Sequence, residues 1–575
     1  MSRPLNFLAF DLGAESGRAM LGQFDGERLT LSEVHRFING PVRLPDGLHW
    51  DVLRLWTEIK HGLGLAVREH GAGLAGIGLD TWGVDFGLLD RDGALVSNPY
   101  HYRDSRTDGM VEEAFRRVPR AEIFEQTGIQ FMQLNSLYQL LAMVVRRSPA
   151  LAVAETFLTM PDLFNYWLTG RKCCEFSIAT TTQCYNPRLS PFPPREEAGV
   201  GFLSPLPPRE GVGGGSLSPL PLREGAGGGS LSPLPGRERA GGGSLSPLPG
   251  RERTGGGSLS PLPLREGVGG GWALPLLDRL SIPTHIFPDI VPSATVLGDL
   301  LPAVADECGL PALPVIAPAC HDTGSAVAAV PAQGAGFVYI SSGTWSLMGT
   351  ESPVPIINEK SLAFNFTNEG GVGSTFRFLK NITGLWLVQE CRRVWAQQGE
   401  QLSYDDLTCM AAQAAPLRSF VDPDHADFLK PGDMPARIRA YCQRTGQPVP
   451  ESQGAVVRCA LESMALKYRW VLERLAECLG RRLEPVHIVG GGTRNRLLNQ
   501  FTADATGRQV VTGPIEATAA GNVIAQAMAL GCLASLEEGR QVVRNSFDIE
   551  TYEPADQAGW GEAYGRFLAL TERAG

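Results

Sequence analysis

The sequence predicts an α/β protein of at least two domains. The chain has 575 residues, more than one hydrophobic core usually supports, and 43% of them are hydrophobic. Strand-like segments with alternating apolar residues recur together with amphipathic helical segments. Two hairpins with small residues in the turn stand at residues 11–18 and 341–344, near the start of two similarly patterned halves.

The first half begins with a predicted three-stranded meander over residues 5–34, in which LNFLAF, RAMLGQF and LTLSEVH are the strands. Asp51 is placed to cap a helix, because Val52, Leu55, Ile59 and Leu63 then fall on one face. Residues 75–90 return to a strand pattern, and residues 134–170 are predicted to be mainly helical.

A repeat block occupies residues 189–271. The dipeptide Leu-Ser recurs at 189, 203, 217, 231, 245 and 259, and a unit reads LSPLPLREGAGGGS. Each unit has a Pro-rich half and a Gly-rich half with almost nothing to bury, so the block is predicted to be a disordered insertion rather than a repeat fold. An interaction segment is the alternative.

The second half resumes the ordinary pattern after Trp272. The segment VIAPACHDTGSAVAAV predicts a strand, a polar corner and a helix, and GFVYISSGTWSLMGT predicts a hairpin. Residues 455–479 have the apolar spacing of a long amphipathic helix. The segment PVHIVGGGTRNRLLNQ then predicts a strand, a glycine loop and a helix.

Composition narrows the class of protein. The net charge of −10 argues against nucleic acid and anionic membrane as partners, and no run of 18 apolar residues could span a bilayer. The start, MSRPLNFLAFDLG, lacks the layout of a signal peptide, so we expect a cytoplasmic protein. The eleven cysteines form no CxxC pair, and we expect free thiols, also at Cys442 and Cys459.

The two small-residue hairpins predict contacts to phosphate. Small side chains let backbone N–H groups approach an anion closely, so two such turns facing each other could hold the phosphates of a nucleotide. The segment VGGG at 489–492 ends a strand and precedes a helix, which also suits a nucleotide. No Walker motif is present, and no GxGxxG follows the first strand, which excludes the P-loop and Rossmann interpretations.

Longer segments carry a family resemblance. The segments FDLGAESGR, GLDTWGVDFGLLD, CHDTGSAV, YISSGTWSLMG, TNEGG, LKNITGLWLVQE and HIVGGGTRNRLLNQ resemble the FGGY family of carbohydrate kinases, in its rhamnulokinase branch, and occur in that order. The resemblance covers almost the whole chain outside the repeat block. It implies a duplicated actin-like ATPase (ribonuclease H-like) fold, with a catalytic cleft between two domains.

The resemblance also implies a domain division and a reaction. Domain I, on the sugar side, would span residues 1–316 with the block 189–271 inserted, and domain II, on the nucleotide side, would span residues 317–575. The implied substrates are ATP and a small sugar, L-rhamnulose, which would be phosphorylated to L-rhamnulose 1-phosphate. Oligomeric state stays open.

Site residues follow from the matched motifs. Asp322 matches the general base, a task that suits a carboxylate ionised at neutral pH. The resemblance assigns sugar contacts to Gly83, His321, Asp322, Thr323 and Asn381. It assigns ATP contacts to Ala14, Glu15, Ser16, Gly17, Arg18, Thr344, Gln389 and Gly491.

Asp11 resembles the acid that holds Mg²⁺, through water. For Asp11 the alternative is a plain turn residue, for His321 a structural hydrogen bond, and Trp82 could either stack on a sugar or pack in the core.

Two departures from the family pattern are the block at 189–271 and Glu15, where a smaller residue is common. Three alternatives to the main interpretation stay open. They are a kinase of another ketose such as L-fuculose or L-xylulose, an actin-like ATPase without a sugar substrate, and an inactive paralogue.

Overall fold

Two mixed β-sheets organise the protein, whose computed structural model describes residues 4–71, 73–190, 192 and 271–573. In that part of the chain the strands are β1 (Leu5–Leu12), β2 (Ser16–Phe24), β3 (Leu29–Ile38), β4 (Pro41–Leu44), β5 (Gly47–Trp50), β6 (Leu74–Thr81), β7 (Phe86–Leu89), β8 (Thr156–Thr159), β9 (Cys174–Glu175), β10 (Ile290–Val291), β11 (Thr295–Asp299), β12 (Pro314–Ala317), β13 (Val338–Ser342), β14 (Trp345–Ser352), β15 (Thr367–Gly370), β16 (Phe376–Thr383), β17 (Val486–Val489), β18 (Val510–Thr512) and β19 (Thr551–Tyr552).

The α-helices of the same residues are α1 (Val52–His70), α2 (Met110–Arg117), α3 (Arg120–Thr127), α4 (Ser136–Val145), α5 (Pro149–Ala152), α6 (Met160–Thr169), α7 (Phe176–Thr181), α8 (Leu274–Arg279), α9 (Pro302–Cys308), α10 (Asp322–Ala328), α11 (Glu359–Ala363), α12 (Trp386–Gln397), α13 (Tyr404–Gln413), α14 (Met434–Arg444), α15 (Gln453–Leu479), α16 (Arg496–Thr506), α17 (Ala517–Ala529), α18 (Leu536–Ser546) and α19 (Gln557–Arg573).

The two large sheets repeat one topology. The first has the order β11-β12-β6-β1-β2-β3 and the second the order β15-β16-β14-β13-β17-β18-β19. In each, an antiparallel meander (β1–β2–β3, or β13–β14–β16) continues from its first strand into two parallel strands (β6 and β12, or β17 and β18). The prediction of a duplicated actin-like α/β fold is confirmed.

Local sequence accounts for most elements. Asp51 caps α1 by accepting a hydrogen bond from the backbone N–H of Arg54, and the predicted apolar face of this helix is buried. The predicted strand over 75–90 is two strands, β6 and β7, because Val84 has a left-handed φ of 70° that interrupts the extended backbone. The region 134–170 also contains β8, which the helical prediction missed.

Helices α10 and α17 pack between the two sheets. Gly521 of α17 lies against α10 so closely that a Cβ there would be 1.7 Å from the carbonyl oxygen of Ser325, so only glycine fits. Phe7 of β1, Tyr339 of β13 and Val523 of α17 share one buried cluster. This packing brings the turns at the strand ends of both sheets to the same cleft.

The two ends of the repeat block are joined by backbone contacts. Tyr185 and Trp272 form an antiparallel bridge, and the N–H of Asn186 donates to the carbonyl of Gly271 at 2.6 Å. Apart from residues 189, 190, 192 and 271, the block lies outside the described residues. The domain division at residues 316 and 317 falls at the end of β12, and it stays a prediction.

All eleven cysteines are free thiols in the structure, and eight of them are buried. None of the described helices has the length and apolar character that crossing a membrane requires.

Candidate active site

A cleft of about 450 Å³ opens where turns from the two large sheets meet. Every predicted site residue except Gly17 lines it: Asp11, Ala14, Glu15, Ser16, Arg18, Gly83, His321, Asp322, Thr323, Thr344, Asn381, Gln389 and Gly491. The structure places Gly17 behind the cleft wall, where a Cβ would lie 2.2 Å from the ring of Phe37. The residues came from separate motifs, so their convergence results from the fold.

Asp322 is the first residue of α10, and His321 is its N-cap. The carboxylate oxygen Oδ1 of Asp322 accepts from the backbone N–H of Thr323 at 2.5 Å and from its hydroxyl at 3.1 Å. The side chain keeps 30% of its surface exposed. Burial in the cleft raises the pKa of Asp322, His321 acts in the opposite direction, and the negative charge of Asp11 raises it further.

A buried carboxylate holds the loop that carries His321. Glu175 accepts hydrogen bonds from the backbone N–H of Cys320 at 3.0 Å and from the hydroxyls of Ser177 and Ser293, each at 2.5 Å. The N–H of His321 donates to the hydroxyl of Ser177 at 3.1 Å. Sequence reasoning missed Glu175, since nothing local distinguishes it from an ordinary helix cap.

Three carboxylates influence one another at the base of the cleft. Asp11 and Asp80 are paired neighbours on β1 and β6, and Asp80 is fully buried. Burial, and then the charge of Asp11, hold the pKa of Asp80 well above its usual value, with Asp322 adding to the effect. Asp80 accepts from the side-chain amide of Asn522 at 2.6 Å, and its Oδ1 has no hydrogen-bond partner in the described residues.

Arg18 neutralises part of this charge. Its guanidinium forms ion pairs with Asp11 and with Glu516, the N-cap residue of α17. Arg18 is a predicted ATP contact, and in the structure its charge is already shared with two carboxylates. Glu516 was not anticipated, because it lies 498 residues away along the chain.

The two small-residue turns face the cleft from both sheets. In the first turn Gly13 N–H donates to the carbonyl of Ser16 at 2.9 Å, and the amide of Asn39 donates to the carbonyl of Gly13 at 2.8 Å. The second turn holds Gly343 and Thr344 between β13 and β14. Such rigid turns present backbone N–H groups to an anion.

The third glycine segment, after β17, differs in detail from its prediction. It opens a 3₁₀ turn over Gly491–Arg494, and α16 begins only at Arg496. Gln389, on α12, also lines the cleft, and its Oε1 has no hydrogen-bond partner among the described residues. The 3₁₀ turn and the side-chain amide of Gln389 therefore both place polar groups on the side of the cleft predicted for the nucleotide.

Trp82 both packs and lines the cleft. Its ring lies 4.0 Å from that of Trp50, centroid to centroid, and its indole N–H donates to Asp85 at 3.1 Å. Asp85 also accepts from the indole of Trp50 at 2.5 Å and from Gln139 at 2.8 Å. Trp82 is therefore packed in the core, and it also lines the cleft.

Asn381 stands on β16 beside two side chains that the sequence analysis did not assign. Its amide donates toward Gln130 Oε1 at 3.3 Å and toward Glu369 Oε1 at 3.5 Å. Glu369 belongs to the TNEGG segment, so the signal was in the sequence, but its role needed the neighbours. Burial would raise the pKa of Glu369, but the charge of the neighbouring Arg377 helps to hold it below its ordinary value.

Comparison with known proteins identifies the family of the chain. Residues 6–193 match the N-terminal domain, and residues 338–530 the C-terminal domain, of the FGGY family of carbohydrate kinases. A rhamnulokinase of Bacteroides thetaiotaomicron is 41% identical over 562 residues, covering 98% of each chain. One of Oceanobacillus iheyensis is 35% identical, covering 96% of this chain and 99% of its own.

Solved structures share the fold at low identity. A gluconate kinase from Lactobacillus acidophilus superposes with a TM-score of 0.70 at 13% identity, covering 99% of this chain and 98% of its own. Plasmodium falciparum glycerol kinase with ADP gives 0.68 at 12% identity, covering 100% and 99%. The chain belongs to the FGGY family of carbohydrate kinases.

Proposed function

We propose that this protein transfers the γ-phosphoryl group of ATP to O1 of L-rhamnulose, giving L-rhamnulose 1-phosphate and ADP. The observation that carries the proposal is the position of Asp322, whose half-buried carboxylate lies between the turns of both sheets in the shared cleft. The choice of sugar rests on the curated relatives, which are rhamnulokinases at 41% and 35% identity over nearly the full chain.

Asp322 acts as the general base in this mechanism. It orients the attacking sugar hydroxyl and accepts its proton as the oxygen–phosphorus bond forms and ADP departs. The pKa of Asp322 is raised, which makes its carboxylate a stronger base towards the sugar hydroxyl. Gly83, Thr323 and Asn381 border the space beside it, so they contact the remaining sugar oxygens.

The turns at 13–16 and 343–344 bind the phosphates of ATP through backbone N–H groups, with Gln389 and Gly491 on the nucleotide side. Asp11 fits an outer ligand of Mg²⁺. In the described residues no three His, Cys, Asp or Glu side chains are close enough to hold a bare ion, and Mg²⁺ normally keeps several waters and uses substrate phosphates. When bound, Mg²⁺ neutralises charge on the transferred phosphoryl group.

A coupled assay of ADP release with a panel of sugars tests the proposal. L-rhamnulose should give the highest kcat/KM, above L-fuculose, L-xylulose, D-xylulose and glycerol. A clear preference for another ketose would overturn the choice of substrate and leave the kinase assignment intact. ATP hydrolysis that no sugar stimulates would overturn both. We further propose that the enzyme acts in the cytoplasm, which its eleven free thiols favour.

A further inference from the structure

Arg377 is a fully buried arginine on β16 whose side chain contacts His321, the residue before α10. None of its side chain is exposed, and its Nε–H donates to the carbonyl of Gly370 at 2.8 Å. The guanidinium nitrogen Nη2 lies 3.0 Å from Nδ1 of His321 and 3.3 Å from Oε2 of Glu369. Arg377 does not itself line the cleft, so it can act on the substrate only through these two neighbours.

The contact with Nδ1 decides which ring nitrogen of His321 carries the proton. A guanidinium has only N–H donors and no acceptor, so the facing nitrogen must offer a lone pair. Glu369 Oε2 lies 3.3 Å from the same Nδ1 and would favour a proton there instead. The arginine contact is shorter, and two N–H hydrogens cannot point at each other. Nδ1 is therefore the acceptor, and the proton of the neutral ring is on Nε2.

The Nε2–H group faces the site of the reaction. Nε2 lies 3.4 Å from Oδ1 of Asp322. On the other side is Gly83, where a Cβ would come within 3.3 Å of Nε2. A side chain at residue 83 would therefore cover this donor, and the glycine leaves it open to a ligand in the cleft.

We propose that Arg377 is a positioning residue of this active site, which keeps the proton of His321 on Nε2 and aims that donor at the carboxylate of Asp322 and at a sugar oxygen beside it. Glu369 serves as the counterion of Arg377 and fixes the guanidinium in this orientation. The assignment of the donor to a sugar oxygen rests on the proposed function, whereas the assignment of the tautomer does not.

The tautomer can be observed directly by ¹⁵N NMR of the full chain labelled at histidine, because protonated and unprotonated ring nitrogens differ widely in chemical shift. The chain has nine histidines, and the spectrum of His321→Gln identifies the signal of His321. The wild-type protein should show the Nε2–H form. In Arg377→Met the donor to Nδ1 is gone, so the proton should move to Nδ1 and face Glu369. Glu369→Gln should keep the Nε2–H form.

Kinetics supply the second readout. Arg377→Met should lower kcat with the sugar by about 10- to 100-fold, the usual effect of losing a partner that orients an active-site ligand, with the KM for ATP unchanged. Arg377→Lys, which still donates, should recover part of the loss. The matched control is Arg540→Met, since Arg540 is also buried and pairs with Glu351 at 2.7 Å away from the cleft. It should lower Tm and leave the His321 signal unchanged.

The NMR spectra can overturn the proposed role of Arg377. An Nδ1–H form in the wild-type protein, or an Nε2–H form that persists in a folded Arg377→Met, overturns the role of Arg377. If Arg377→Met does not fold, the wild-type and Glu369→Gln spectra still test the tautomer, and a shift in the latter contradicts it. A wild-type protein with the expected tautomer but no activity on L-rhamnulose refutes the proposed substrate and spares this inference.

Discussion

Replacing Asp322 by Asn should separate catalysis from stability. Asn keeps an oxygen that can accept the hydrogen bonds from the N–H and hydroxyl of Thr323, so the start of α10 should be unchanged. It cannot accept the proton of the sugar hydroxyl. A positioned general base contributes about 10²–10⁴-fold to rate, so the barrier should rise by roughly 3–5 kcal/mol and kcat should fall accordingly.

The same substitution should not lower stability. Burial raises the pKa of Asp322 in the folded protein above its unfolded value, so folding favours the protonated form. The stabilising contribution of this group is present below the unfolded pKa and is lost as pH rises through the folded pKa. At pH 7 the ionised carboxylate is therefore a cost, increased by the nearby Asp11, and the neutral Asn removes it.

The assay pairs initial rates of ADP release with thermal unfolding of the same preparations at pH 7. We expect kcat to fall at least about 100-fold and Tm to stay equal or rise. Retention of more than about a tenth of the wild-type kcat would refute the role of Asp322 as base. A marked fall in Tm would refute the reasoning about its burial.

Three other predictions concern the sugar side, pH and the insertion. Asn381→Ala should raise the KM for the sugar more than the KM for ATP, measured by varying each substrate in turn, and the reverse would show that Asn381 is misassigned. The acid limb of kcat/KM against pH should lie above the ordinary Asp value of about 3.9, because the raised pKa of Asp322 leaves the base protonated at higher pH; a limb at or below that value would contradict this. Replacing residues 193–270 by a short Gly-Ser join should leave an active kinase whose unfolding free energy is unchanged or up to about 2 kcal/mol higher. The hydrogen bond from the N–H of Asn186 to the carbonyl of Gly271 already holds the two ends of the insertion together. A deletion variant that folds but is inactive would contradict an insertion without a role in activity.

Much of the fold was predictable because its signals are local. The alternation of LNFLAF and RAMLGQF, the cap at Asp51 and the glycines after VHIV each depend on residues a few positions apart. The region 134–170 was less predictable. Strand β8 has only four residues, all of them buried, and so short a run cannot be told from a buried helix by periodicity.

The site residues, too, were only partly predictable from the sequence. The sequence by itself determined that Asp322, His321, Gly83 and Asn381 belong to recognisable motifs, and all four line one cleft. Only the tertiary structure decided that Gly17 packs against Phe37 instead, because Phe37 is its cross-strand partner on β3.

Only the tertiary structure, too, brought Arg377 within 3.0 Å of His321 and paired Arg18 with Glu516. These partners are separated by 56 and 498 residues along the chain. Periodicity and turn chemistry describe neighbours in sequence, whereas the charge and proton placement of a buried group are set by neighbours in space.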